Sequence, residues 1–374
     1  MLPRPDLFPQ GLSQGAPLGS SLISLTFSFA CLNLPREVSL TDPPMDSLMT
    51  GLEKYIRQFS QLNRANGPMW SESTKRKAPH KPILLLAVLD LVQRGVITTP
   101  LIAISAELIE LNELFNQYWR LVVPLNQTSS IAFPFSRLDR EPFWELLPLP
   151  GKAITSAVIG STSSVTYLFK HAVGARLDEE LFYLMQTEEG RETLREALLQ
   201  SCFSPVAQAL LREQSNINHE AFDYGKLLEE KSHRPLDTII PDIEQYRPPA
   251  RKQAFRRIVV TVYDHRCALC GVRIITPELH TAVDAAHIIP WSKSKNDDVR
   301  NGMALCKLCH WAFDRGMIGV SDSYNVIASR HIAANTNLPG FLTILAGRSF
   351  IPPVNPDHWP AQPFLAEHRK TWKL

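Results

Sequence analysis

The sequence predicts an α+β protein in two parts: a mixed helical and β-hairpin domain, followed by a smaller strand–loop–helix domain clipped by metal. Three observations carry this expectation. A chain of 374 residues with 44% hydrophobic content is long enough for two cores. Apolar residues recur at helical spacing through most of residues 52–205, with one interruption of strand-like segments. Four of the six cysteines form two CxxC pairs, Cys267-Ala-Leu-Cys270 and Cys306-Lys-Leu-Cys309, around a polar insert, as a four-thiolate zinc site requires.

Taken in order, residues 1–44 are rich in Pro, Gly, Ser and Leu and read as a disordered extension. The apolar run at 22–34 is too short and too interrupted to span a membrane, and Arg4 alone makes a poor signal-peptide start. A first domain is expected over 45–205. Its first helix carries the stripe Leu52, Tyr55, Ile56 and Phe59. A second, buried helix follows Lys75-Arg-Lys-Ala-Pro-His-Lys-Pro82, with Pro82 in its first turn and Gly95 beyond its end. Arg76, His80 and Lys81 then lie at a helix N-terminus, where free N–H groups favour a phosphate. A third helix begins near Ser105, a suitable cap, and buries Leu108, Leu111, Phe115 and Tyr118. Residues 130–138 and 143–147 are apolar stretches around a polar turn and read as a hairpin, with Pro134 at an edge or bulge. Residues 151–166 read as a loop or weak strand. Helices resume after Leu177-Asp178, again from Thr187, and from Ser204-Pro205.

Residues 206–245 are polar and proline-punctuated, and are expected to be a linker to a second domain over 246–374. That domain opens with Arg251, Lys252, Arg256 and Arg257 in a run without acidic residues, a candidate track for a DNA backbone. The net charge of +2 argues neither for nor against nucleic acid, so local patches have to carry the case. Cys31 and Cys202 are far apart and suggest no disulfide framework, which points to a reduced, cytoplasmic compartment.

Inside the cysteine clip lie Asp284-Ala-Ala-His287-Ile-Ile-Pro-Trp291, Asn301-Gly302 and His310-Trp-Ala-Phe-Asp314. His287 follows a short alternating stretch that places it at the end of a strand. His310 and Asp314, four residues apart, share one helix face and can grip one ion. Hydrolysis of a phosphodiester needs a base for water and a cation for the phosphate, and this set offers both. The clip leaves one alternative open, that His310 replaces a cysteine on zinc.

This order of residues resembles the HNH endonuclease family, in its cysteine-bearing branch with an Ala-His-Ile-Ile-Pro-Trp motif. The resemblance implies a ββα-metal fold, His287 as general base, Asn301 as the residue orienting its loop, and His310 with Asp314 as ligands of a catalytic Mg²⁺ or Mn²⁺. Many members carry an Asp or His just before the base, where this chain has Ala286; Asp284 is the weak substitute. The N-terminal part, through Ala78-Pro-His-Lys-Pro82, Tyr118-Trp119, the segment from Pro134-Phe135 to Phe143-Trp144 and Leu177-Asp-Glu-Glu-Leu-Phe182, resembles the sulfur-binding domain of type IV restriction endonucleases that cut phosphorothioated DNA. That resemblance implies an apolar cavity for sulfur, here assigned to Phe133, Pro134 and Phe135 beside Arg76, His80 and Lys81. The partner expected is modified double-stranded DNA, with no membrane; a homodimer stays open. The competing readings are an inactive DNA-binding protein, and a nuclease whose first domain reads methylated DNA or a partner protein.

Overall fold

The apolar stripe read from Leu52 onward forms helix α1 (Met45–Ser60), which buries Tyr55 and Phe59. The computed structural model describes residues 45–104, 106–153, 165–238, 245–333 and 340–374. The extension over 1–44, the cap at Ser105 and most of the weak strand at 151–166 therefore lie outside the described residues. Helix α2 (His80–Gln93) is apolar all round and buried from Lys81 to Val92. It stops at Gly95, whose φ of 66° is the left-handed turn that glycine adopts without strain. Helix α3 (Ala106–Val122) lies against it.

The expected hairpin is half right. Its first arm is a helix, α4 (Ala132–Arg137), and Pro134 sits in the first turn, where its missing N–H leaves no bond unmade. A short apolar run does not distinguish strand from buried helix, which is why the pattern misled. The second arm is strand β2. Three antiparallel strands, β1 (Leu101–Ala103), β2 (Trp144–Pro148) and β3 (Ala172–Leu177), form one sheet in the order β1-β3-β2, with helix α5 (Val165–His171) leading into β3. Helices α6 (Glu179–Gln186), α7 (Glu188–Cys202) and α8 (Pro205–Ser232) each start on a side-chain cap, from Asp178, Thr187 and Ser204 respectively.

Helix α8 corrects the expectation of a linker over 206–245. Its buried positions Leu211, Ser215, Asn218, Ala221, Tyr224 and Leu228 recur every three or four residues. Because two of them are polar, the stripe was invisible to hydrophobicity alone. Asp90 explains the polar pair: its buried carboxylate accepts from Tyr118 (2.6 Å), Asn218 (2.7 Å), Arg195 (3.0 Å) and Ser215 (3.3 Å). A buried carboxylate is tolerable only when paired and hydrogen-bonded in this way. One hydrophobic core takes Ala207 and Leu211 from α8; a second takes Ala221, Tyr224 and Leu228. The two cores thus share one helix.

The second core is built on helix α9 (Pro248–Val262), which packs along α8 and against the antiparallel pair β4 (Val283–His287) and β5 (Gly302–Cys306). A short helix, α10 (Trp291–Ser294), follows β4, and α11 (Lys307–Asp314) follows β5. A small hairpin of β6 (Ile318–Val320) and β7 (Val326–Ala328) and helices α12 (Gly340–Leu345) and α13 (Gln362–Trp372) complete this part. Among the described residues, no helix is long and apolar enough to cross a membrane.

Candidate functional site

The four clip cysteines converge from three places: a turn at Cys267–Cys270, the end of β5 at Cys306, and the first turn of α11 at Cys309. Their sulfurs all lie within 4.8 Å of one another, and Cys270 and Cys306 are 3.7 Å apart. A tetrahedron with bonds of about 2.3 Å has edges of about 3.8 Å, so the donor set is compatible with zinc. The four sulfurs make up this donor set without His310. The mutual hydrogen bonds of this set pull the Cys306 and Cys267 thiols down and push Cys270 and Cys309 up, so a bound metal would have to displace the remaining protons.

His287 ends β4, opposite Gly302 in the register. A side chain on Gly302 would come within 2.6 Å of Val259 and 2.9 Å of Phe255, so α9 can press this close only against glycine. Phe255 stacks flat on the His287 ring, with centroids 3.9 Å apart. Asn301 is fully buried. It accepts from the Ile289 N–H (2.9 Å) and donates to the carbonyls of Asn296 (2.9 Å) and Ile289 (3.1 Å), clamping both ends of the loop after His287. That loop brings in a residue the sequence reading missed: Asp297, whose Oδ1 lies 2.8 Å from His287 Nε2. Its second oxygen accepts from the Tyr224 hydroxyl of α8 at 3.1 Å. No spacing rule flags an aspartate ten residues beyond a histidine.

His310 and Asp314 share a face of α11, 3.4 Å apart. With His287 they line a cavity of about 360 Å³, closed by Trp291, Lys293 and, from α13, Glu367, His368 and Trp372. The contribution of α13 was not foreseen, since the chain end carried no motif. His368 stacks on Phe313 and is pushed down to about 4 by burial. Asp284 does not join this site. It pairs with Arg256 (3.0 Å) and Lys307 (3.4 Å), an alternate strand position away from the face of Ala285 and His287. Among the described residues, no further acidic, histidine or cysteine side chain joins His310 and Asp314 in a three-donor cluster.

The basic run of α9 needs correction. Arg256 pairs with Glu113 of α3 (2.9 Å) as well as Asp284, and Arg257 pairs with Glu110 (3.4 Å). These arginines join the two cores; the acids they meet come from a distant segment, out of sight of a local charge count. Arg251 stands over the Trp291 ring at 4.2 Å, beside the cavity, and Lys252 is exposed.

In the first core a second cavity, of about 410 Å³, lies between the 63–70 loop, the start of α2 and α4. Phe133, Pro134, His80, Trp70 and Met69 give it apolar walls, and Arg137 and Arg140 stand at its edge. The His80 ring sits 4.7 Å from Phe133 and 4.7 Å from Trp119. Burial, then the nearby Arg137, pushes its pKa down to about 4, so His80 is a neutral wall and not the cation expected. Phe135 is not in the cavity: it is fully buried in the core beside Trp144. Lys81 is buried in an ion pair with Glu141, and Arg76, exposed, pairs with Glu72. Lys81 lines the cavity but has its ammonium taken up by Glu141, while Arg76 stays exposed and is not among the lining residues. Trp70 and Arg140 were missed, because the cavity gathers residues far apart in sequence, and Arg137 was not assigned to it.

Two family models match this chain, one over each part. Residues 267–321 match the family model for HNH endonucleases, and residues 55–215 match the model for the ScoMcrA-like DNA sulfur-binding domain. Anaredoxin from Nostoc sp. (strain PCC 7120 / SAG 25.82 / UTEX 2576) is 26% identical over 76 residues, 20% of this chain and 91% of that protein. A solved structure, a modification dependent TagI restriction endonuclease, aligns at 22% identity with a TM-score of 0.26, covering 36% of this chain. This chain spans 44% of the length of that one. The chain therefore joins a region similar to the ScoMcrA-like DNA sulfur-binding domain to a following region similar to HNH endonucleases.

Proposed function

We propose that this protein is a restriction endonuclease that cuts double-stranded DNA because the DNA carries phosphorothioate. The cavity walled by Phe133, Pro134, His80 and Trp70 carries this reading. Sulfur in place of a phosphate oxygen is larger, more polarisable and a weaker hydrogen-bond acceptor, so apolar and aromatic walls favour it. Arg137 and Arg140 then face the charge that the sulfur leaves in place. His80, being neutral, adds ring contact without demanding an oxygen.

In the nuclease site, His287 is the general base for the attacking water, and Asn301 holds the loop behind it. His310 and Asp314 would hold a Mg²⁺ or Mn²⁺ whose remaining positions suit water and phosphate oxygens, an ion that supplies charge neutralisation at the phosphate when bound. Arg251, over the ring of the cavity residue Trp291, and its exposed neighbour Lys252 are the candidates to meet the backbone of a bound duplex. Plasmid carrying phosphorothioate should be cut by the full chain with Mn²⁺, and the same plasmid without it should not. Equal cutting of the two would overturn the proposed dependence while leaving the nuclease intact.

A further inference from the structure

Two nitrogens of His287 compete for one proton, and only one arrangement makes a base. Asp297 is 4% exposed and lies with Oδ1 2.8 Å from Nε2. An ionised carboxylate accepts hydrogen bonds and donates none, so this contact requires the proton on Nε2. Nδ1 is then left with its lone pair, in a residue that lines the catalytic cavity. Resting on the reading of His287 as general base, we propose that Asp297 is a positioning residue that fixes this tautomer, and that Tyr224 holds Asp297 in place.

The surroundings restrict every alternative. Phe255, flat against the ring, opposes the out-of-plane tilt that a flip of the imidazole requires. Asn301 ties the backbone at Ile289 and Asn296, on either side of the turn that delivers Asp297. The Tyr224 hydroxyl donates to Oδ2 from α8, and burial, then the adjacent Asp297, keeps its proton in place well above the usual range. When Nδ1 takes a proton from water, the resulting imidazolium faces the Asp297 carboxylate. Asp297 touches neither the water nor the phosphate; it acts through His287.

The test uses the full chain, phosphorothioated duplex and Mn²⁺. Asp297→Asn removes the charge in an isosteric side chain, and single-turnover cleavage should fall about 100-fold while duplex affinity stays within about twofold. In protein labelled with ¹⁵N-histidine, the His287 signals should report a proton on Nε2 in the wild type and a shifted tautomer balance in D297N. Tyr224→Phe, which leaves the carboxylate intact, should reduce the rate about fivefold and keep the tautomer, and serves if D297N fails to fold. His287→Ala is run in parallel. An inactive H287A beside fully active D297N and Y224F would overturn the role of Asp297 and leave the base assignment standing. A slower D297N with an unchanged tautomer would also overturn it. An H287A that cuts at the wild-type rate would instead overturn the base assignment itself.

Discussion

The candidate nuclease site and the cavity proposed for sulfur are built in opposite ways. The first is compressed into residues 267–314, tied by four cysteines and one buried asparagine. The second is gathered from a loop at 63–70, the start of α2 and helix α4, and no three-donor metal cluster lies there among the described residues. Its walls are joined instead by Lys81 and Glu141, whose carboxylate also accepts from the Asn63 backbone at 3.1 Å. A local site can be held by covalent and metal chemistry. A dispersed one depends on the core beneath it.

Removing the clip should give the largest effect. Structural zinc contributes folding free energy on the order of 10 kcal/mol, so Cys270→Ser should unfold the nuclease region and abolish cleavage. Elemental analysis together with denaturant unfolding checks this, and folded, active, zinc-free protein would break the contrast between the two sites. The counterpart in the cavity is Lys81→Ala. Leaving Glu141 buried and alone should cost about 3–5 kcal/mol of stability, so both duplex types should bind less well through loss of fold. Urea midpoints distinguish this from a lost phosphate contact. Phe133→Ala should be milder still: losing one ring against sulfur amounts to about 1 kcal/mol, a preference for phosphorothioate over plain duplex reduced several-fold at fixed salt. Equal loss of affinity for both duplexes would show that Phe133 is only packing.

Acid gives the smallest effect near neutral pH and touches both sites alike. His80 and His368 are each pushed down to about 4, against about 6.5 in the unfolded chain. Between those values the unfolded chain binds protons that the folded one does not. Stability from both residues is therefore whole above pH 6.5 and is lost progressively as pH falls to 4. His80→Phe should flatten part of this slope in thermal melts taken from pH 7 to pH 4.

The same contrast explains what the sequence disclosed. Cys267 to Asp314 were legible because their chemistry depends on spacing along short elements: two CxxC pairs, a strand end, an i, i+4 face. Asp297 was not, since its partner is chosen by a loop that only the fold closes. In the cavity, Pro134 and Phe133 were placed through resemblance, but the hairpin assumed around them is a helix. Phe135, one residue on, faces the core and not the cavity, a distinction that depends on the true periodicity of 132–137. Arg256 and Arg257 looked like a surface track because nothing nearby in sequence opposes them; Glu110 and Glu113 do so only after folding.

Helix α8 also sets a ruler between reading and cutting. Ser215 grips Asp90 in one core and Tyr224 grips Asp297 in the other, nine residues apart, roughly 14 Å along a helix that rises about 1.5 Å per residue. Each inserted residue would also rotate the far half by about 100°, turning Tyr224 away from the loop it holds. A reading domain cannot be exchanged by cutting at a flexible joint here, because the joint is a rigid rod with a fixed phase. Any chimaera has to inherit the whole helix, or replace it by one of the same length and the same buried face.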